Sequence, residues 1–124
     1  MIQLMLVDDD KLAMLIAKKM LDRLSDKFEV SVHLNALNAL NALKAHREIP
    51  DAILLDINMP QIDGWCFLEE LNKIDVFTDV IMLTSSIYEE DMEKAKKYPQ
   101  VKGFFQKPLN KDKILKLQQY YSRP

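Results

Sequence analysis

Residues 4–15 read LMLVDDDKLAML. An apolar run stops at Asp8, Asp9 and Asp10, and a second apolar pattern begins at once. Three adjacent carboxylates repel one another, and Asp is a poor residue for the interior of either a strand or a helix. The triplet therefore marks the seam between a buried strand and a helix. Asp8 and Asp9 end the strand. Asp10 stands directly before Lys11-Leu12-Ala13, where its side chain can cap the free N–H groups of the first helical turn.

The same grammar repeats along the chain. Apolar runs at 52–55 (AILL), 80–83 (VIML) and 101–105 (VKGFF) end at Asp56, Thr84 and Gln106-Lys107-Pro108 respectively. Their Ile, Leu, Val and Phe content predicts strands buried on both faces. Residues 28–34 (FEVSVHL) alternate instead, which predicts a half-buried strand at a sheet edge. Helical patterns fill the gaps at 11–24, 36–46, 65–73, 87–98 and 111–121. In the first of these, Leu12, Ile16 and Met20, with Ala13, Ala17 and Leu24, are expected to form the buried face. In the second, NALNALNAL (35–43) keeps Leu37, Leu40 and Leu43 on one broad side of a single amphipathic helix. The charged helix at 87–98 is expected to face solvent. Asn110 is a good N-cap for the last. Five strands alternating with five helices predict a parallel α/β sheet, doubly wound with helices on both faces.

Bulk properties bound the function. The chain has 124 residues, 48% of them hydrophobic and 29% charged, enough for one domain, 1–124, with a real core. Seventeen Lys and Arg against 19 Asp and Glu give a net charge of −2, so there is no basic footprint for nucleic acid or anionic membrane. No apolar stretch approaches a membrane span and the N-terminus is not a signal peptide, so a cytoplasmic protein is expected. A single cysteine, Cys66, excludes an internal disulfide and is read as a small buried apolar residue. His33 and His46 match no metal spacing and are read as surface or core-edge residues.

In an open parallel sheet, ligands bind beyond the carboxyl ends of the strands. Those ends carry Asp8 and Asp9, Asp56, Thr84 with Ser85, and Lys107. Taken singly, an Asp there is a cap or turn residue and a Thr is an ordinary strand residue. Taken together, three carboxylates and one lysine need a cation, because like charges at close range raise each other's pKa. All-oxygen donors suit Mg²⁺, with Mn²⁺ as a substitute. Lys107 and the Thr84 hydroxyl are suited to phosphoryl oxygens, which makes the set equipment for phosphoryl transfer to a carboxylate.

At these residues the chain resembles the receiver domains of two-component response regulators, across essentially its whole length. LVDDD resembles the family's acidic pocket, ILLDINMPQIDGW its phosphoacceptor segment, VIMLTSS its fourth-strand switch segment and GFFQKPL its Lys-Pro segment. The resemblance implies a flavodoxin-like sheet of order 2-1-3-4-5. It implies Asp56 as phosphoacceptor and Asp9, Asp56 and the Asn58 backbone carbonyl as direct Mg²⁺ ligands, with Asp8 acting through a metal-bound water. It implies Thr84, Ser85 and Lys107 around the phosphoryl group, Phe104 as the switch aromatic where the family often has Tyr, and a cis bond at Lys107–Pro108. Asn58 and Ser86 would flank the path of attacking water and tune phosphoryl lifetime. The only two glycines, Gly64 and Gly103, fall where the family places glycine, and Gly64 sits in a turn that can require positive φ. The implied partners are a histidine kinase or histidine phosphotransfer protein, and a downstream protein contacting the surface of residues 87–121. Met1 reads as a natural start and only Ser122, Arg123 and Pro124 follow the last helix; output by protein contact is expected if the chain is complete, and a DNA-binding or enzymatic output module if it is an excised piece.

Three other readings compete. A phosphatase resembling the haloacid dehalogenase class would carry its nucleophile after the first strand in a D-x-D pattern, whereas Asp56 follows the third and reads D-x-N. A receiver-like interaction module that no longer takes phosphate would be expected to depart at Asp9, Asp56, Thr84 or Lys107, and none departs. A flavin-binding protein would need a Ser/Thr-Gly-rich phosphate loop where the aspartates stand.

Overall fold

A computed structural model describes residues 1–24, 26–45 and 49–122. The elements are β1 (Ile2–Val7), α1 (Lys11–Leu24), β2 (Phe28–His33), α2 (Ala36–Lys44), β3 (Ala52–Asp56), α3 (Gly64–Lys73), β4 (Asp79–Thr84), α4 (Glu89–Ala95), β5 (Val101–Gln106) and α5 (Lys111–Tyr121). The strands form one parallel sheet of order β2-β1-β3-β4-β5. His46, at the expected end of the second helix, and the terminal Arg123 and Pro124 lie outside the described residues.

Strand alternation divides the core in two. Met5, Val7, Ile53, Leu55, Val80 and Met82 point to one face, where Leu40 and Leu43 of α2, Phe67, Leu68 and Leu71 of α3, and Ala95 of α4 cover them. Leu4, Leu6, Leu54, Ile81 and Leu83 point to the other, against Met14, Ala17 and Leu21 of α1 and Ile114 and Leu117 of α5. The period of two along each strand thus assigns successive residues to opposite layers. Because β1, β3 and β4 are central, both faces of each are buried.

The two edge strands behave differently from each other's expectation. β2 is the half-buried edge that its alternation predicts. β5 was expected to be buried on both faces, but it is the opposite edge and only half-buried. Its Phe residues are apolar enough for a central strand, yet nothing follows them in the sheet. β5 also carries a bulge near its start. Val101 pairs with Val80, but Ile81 pairs with Gly103, so Lys102 is an extra residue. The bulge sends Phe104 towards the α2–α4 layer and Phe105 towards the α1–α5 layer.

Helix faces differ from the periodic reading in two places. In α1 the buried stripe is Met14, Ala17 and Leu21, while Leu12 is 67% exposed and Ile16 52% exposed. Ala13, Met20 and Leu24 flank the core as expected. The helix is apolar on more than one side, so its pattern alone does not choose between neighbouring stripes. In α2 the buried residues are Ala36, Ala39, Leu40 and Leu43, and Leu37 is exposed. A three-residue repeat drifts around the helix, and its first leucine has drifted off the core.

α4 spans seven residues rather than the expected twelve. Its outer residues face solvent, but Ala95 and the following Tyr98 are buried. The helix is tied to α3 through Lys94, whose ammonium lies 5.0 Å from the Trp65 ring centroid, and through Tyr98, which packs on Trp65 and donates a 2.6 Å hydrogen bond to Glu69. Cys66, expected inside, is exposed on α3. The Asp63 carboxylate beside it pushes the thiol pKa up, so it stays protonated rather than nucleophilic.

Gly64 is needed for space, not for positive φ. The left-handed residue of this turn is Gln61 at φ 69°, and no glycine has positive φ. A Cβ on Gly64 would stand 2.9 Å from both the Asp56 carbonyl oxygen and the Ile57 Cα, whereas one on Gly103 would meet nothing within 4 Å. Gly64→Ala is therefore expected to lower the urea midpoint by an amount equivalent to about 1–3 kcal/mol. Gly103→Ala, measured in parallel, should leave it unchanged or raise it slightly.

Candidate functional site

Strand register assembles the site. Val7 pairs with Leu55, so Asp8 leaves β1 alongside Asp56 at the end of β3. Asp56 pairs with Leu83 and Thr84 with Gln106, which brings Thr84 and Lys107 to the same edge of the sheet. The Ile57 N–H donates to Leu83 O at 3.1 Å and the Lys107 N–H to Thr84 O at 2.7 Å, so the sheet ladder continues into the loops.

Asp8 and Asp56 are buried, at 1% and 4% exposure, and Asp9 is exposed. One carboxylate oxygen from each lies within 4.8 Å of the others. The Lys107 ammonium stands between the two buried acids, 2.8 Å from Asp8 Oδ2 and 3.3 Å from Asp56 Oδ1. Among the described residues, Asp8 Oδ2 has no hydrogen bond and is answered by that ion pair alone. The other oxygens are held locally: the Asp10 N–H donates to Asp8 Oδ1 at 3.0 Å and the Asn58 N–H to Asp56 Oδ1 at 3.2 Å. Three hard oxygen donors against a single ammonium leave negative charge uncompensated, and a small divalent cation fits that donor set.

The electrostatics bear this out. Burial pushes the Asp56 pKa up from 3.8 to about 6, and the Asp8 carboxylate adds to the rise; Lys107 and the Asn58 N–H oppose it. Burial works to lower the Lys107 pKa, but the Asp8 and Asp56 carboxylates outweigh it and hold it above the ordinary lysine value. A buried acid of raised pKa beside a fixed cation marks a candidate functional site.

The remaining residues lie around this cluster. Asp10 Oδ1 accepts the Ala13 N–H at 3.0 Å, so the third aspartate caps α1. The buried Thr84 hydroxyl donates to Ser86 O at 2.7 Å and accepts from the Ser86 N–H at 3.3 Å, which turns it towards its own loop. Ser85 is exposed, and its carbonyl accepts from Gln106 Nε2 at 3.1 Å. Phe104 is partly buried against the α2–α4 layer. The Lys107–Pro108 peptide is cis. Two participants escape a reading of residue types alone. Gln106 links the ends of β4 and β5, and Lys113 donates to the carbonyls of Gln106 and Pro108. Lys113 carries a faint signal: a cation in the first turn of a helix opposes the dipole and invites the question of what holds it there.

The sign of the Asp56 shift dictates a pH response. Between about pH 4 and pH 6 the folded chain binds more protons here than the unfolded one, so this group weakens the fold as pH rises through that window. Replacing it with a neutral isostere, Asp56→Asn, is expected to stabilise the chain by on the order of 2 kcal/mol at pH 7. The gain should fade as pH drops from 6 towards 4, as thermal melts across that range will show.

Comparison with known proteins agrees with this geometry. Residues 4–119 match the response regulator receiver domain family. The chain is 32% identical to the chemotaxis protein CheY of Halobacterium salinarum over 114 residues, covering 91% of this chain and 90% of that protein. It is 37% identical over 98 residues to a protein-glutamate methylesterase/protein-glutamine glutaminase of Methanospirillum hungatei, covering 78% of this chain but only 28% of that longer protein. Among solved structures, a two-component response regulator from Legionella pneumophila superposes with a TM-score of 0.86 at 25% identity, over 97% of both chains. The strand order, the acidic pocket with its lysine and the match across nearly all of the sequence place this chain in the response regulator receiver domain family.

Proposed function

We propose that this receiver takes a phosphoryl group on Asp56 from a histidine kinase or histidine phosphotransfer protein, and then presents an altered surface at residues 87–121 to a protein partner. The observation that carries this reading is the buried Asp56 carboxylate held between the Lys107 ammonium and the Asp8 and Asp9 carboxylates. Asp8, Asp9 and Asp56 would hold Mg²⁺, with the Asn58 carbonyl as a further ligand. The metal, once bound, neutralises the acidic pocket and draws charge from phosphoryl oxygens.

The chain's own residues do the rest. An Asp56 oxygen attacks phosphorus, the bond from phosphorus to the donor's imidazole nitrogen breaks, and the imidazole leaves. Lys107 turns from the carboxylates towards a phosphoryl oxygen. Thr84 exchanges its Ser86 carbonyl for another phosphoryl oxygen and draws the loop after β4 with it. Phe104 can follow into the space released; lacking a hydroxyl, it acts by burial alone. Asn58 and Ser86 are small and polar and leave water a path to the phosphoryl group. The chain is no enzyme towards other substrates in this reading, and acts in the cytoplasm through protein contacts rather than on nucleic acid.

Incubation with a small acyl phosphate and Mg²⁺, followed by intact mass, is expected to show one phosphoryl adduct in the native chain and none in Asp56→Asn. A native chain that binds Mg²⁺ but forms no adduct would favour an interaction module instead. The aspartate triplet should divide cleanly. Asp9→Ala should abolish calorimetric Mg²⁺ binding and keep the fold, whereas Asp10→Ala should cost ~1 kcal/mol in a thermal melt and keep Mg²⁺ binding.

A further inference from the structure

The ammonium of Lys113 donates to two backbone carbonyls, Gln106 O and Pro108 O, one residue to either side of Lys107. Lys113 is the third residue of α5, and its own N–H is taken by the Asn110 cap at 3.0 Å. At this position helices commonly carry Glu or Gln, whose side chain reaches back to the cap's N–H. A lysine there faces the positive end of the helix and gains nothing from the dipole. Here it is half-buried and its charge is spent on the loop that carries Lys107.

The loop is held from its other side as well. The Lys107 N–H is bonded to Thr84 O and the Gln106 amide to Ser85 O, both at the end of β4. Lys107 thus sits on a short backbone segment gripped by β4 on one side and by α5 on the other, with its side chain directed to Asp8 and Asp56. Resting on the phosphoacceptor reading above, we propose that Lys113 is a positioning residue: by clamping the carbonyls of Gln106 and Pro108 it fixes the reach of Lys107 to the phosphoryl group. It touches neither phosphoryl oxygen nor metal itself. Arginine could replace it, since a guanidinium has donors enough for two carbonyls, whereas methionine keeps the length and loses every donor.

The test is phosphorylation by a small acyl phosphate in Mg²⁺, followed by intact mass over a range of donor concentrations. Loss of a clamp loosens geometry at the reacting centre, so Lys113→Met is expected to lower the limiting rate by about tenfold. The half-saturating donor concentration and the calorimetric Mg²⁺ affinity should stay within about twofold, and Lys113→Arg should recover most of the rate. A native limiting rate in Lys113→Met overturns the assignment. So does a parallel fall in Mg²⁺ affinity, which would mean a general collapse of the pocket, or a failure of arginine to rescue. A native chain that forms no adduct would instead refute the acceptor reading itself.

Discussion

One lysine facing three carboxylates at the rim of a parallel sheet is the constraint around which this molecule is arranged. Asp8 and Asp56 end strands whose both faces are buried, so their charges are brought out of water by the same packing that builds the core. Removing charge from water is costly unless it is paired. Lys107 meets both acids, yet one ammonium cannot balance them and Asp9 as well. The pocket is thus left short of positive charge; burial, with the Asp8 carboxylate adding to it, raises the Asp56 pKa, and Lys107 does not offset the rise. A site in that condition gains from a divalent cation, and with the cation it can tolerate an anion. The chemistry proposed for Asp56 follows from that imbalance more than from any single residue.

Much of this was readable in the residues. The four apolar runs and the alternating stretch at 28–34, spaced by helical patterns, predict a doubly wound parallel sheet. Its strand order is what the family resemblance implies, and the polar residues that terminate the four apolar runs are those the register brings together. Asp10 could be separated from its neighbours because a cap has a local signature, three residues before a free N–H. What escaped depends on tertiary placement. Leu12, Ile16 and Leu37 are apolar residues that the helices turn outward, because composition states how apolar a helix is but not which of two adjacent stripes meets the sheet. Gly64 was legible as a required glycine but for the wrong reason: the need arises from the Asp56 carbonyl and Ile57 Cα crowding it, a contact invisible in a turn motif. Cys66 is exposed because α3 presents Trp65, Phe67 and Leu68 inward and leaves the position between them outside. Residue type alone does not single out the role of Lys113, since its partners are backbone atoms that carry no residue identity.

The site is wired to its surroundings mostly through main-chain atoms. Thr84 bonds to the backbone of Ser86, Gln106 to the carbonyl of Ser85, and Lys107 to the carbonyl of Thr84. These links join the loops after β4 and β5, so a change of partner at Thr84 is passed directly to the segment leading into α4. That helix has little hold of its own. Seven residues are too few to be stable as an isolated helix, and its order is borrowed from α3 through Lys94 on Trp65 and Tyr98 on Glu69. An element so lightly held suits the change of surface proposed for residues 87–121.

The bulge at Lys102 has a reach out of proportion to its size. A strand advances about 3.3 Å per residue and reverses its facing at every step. Were Lys102 paired with Ile81 instead of bulged out, Phe104 and Phe105 would exchange layers, and the lysine that closes the acidic pocket would be displaced along β4 by one full step. Taking up the bulge at the far end of β5 into the ladder would therefore strip the pocket of its counter-charge while leaving every residue of the pocket in the chain. The position of the cation is a matter of counting, settled where the strand begins and expressed where it ends.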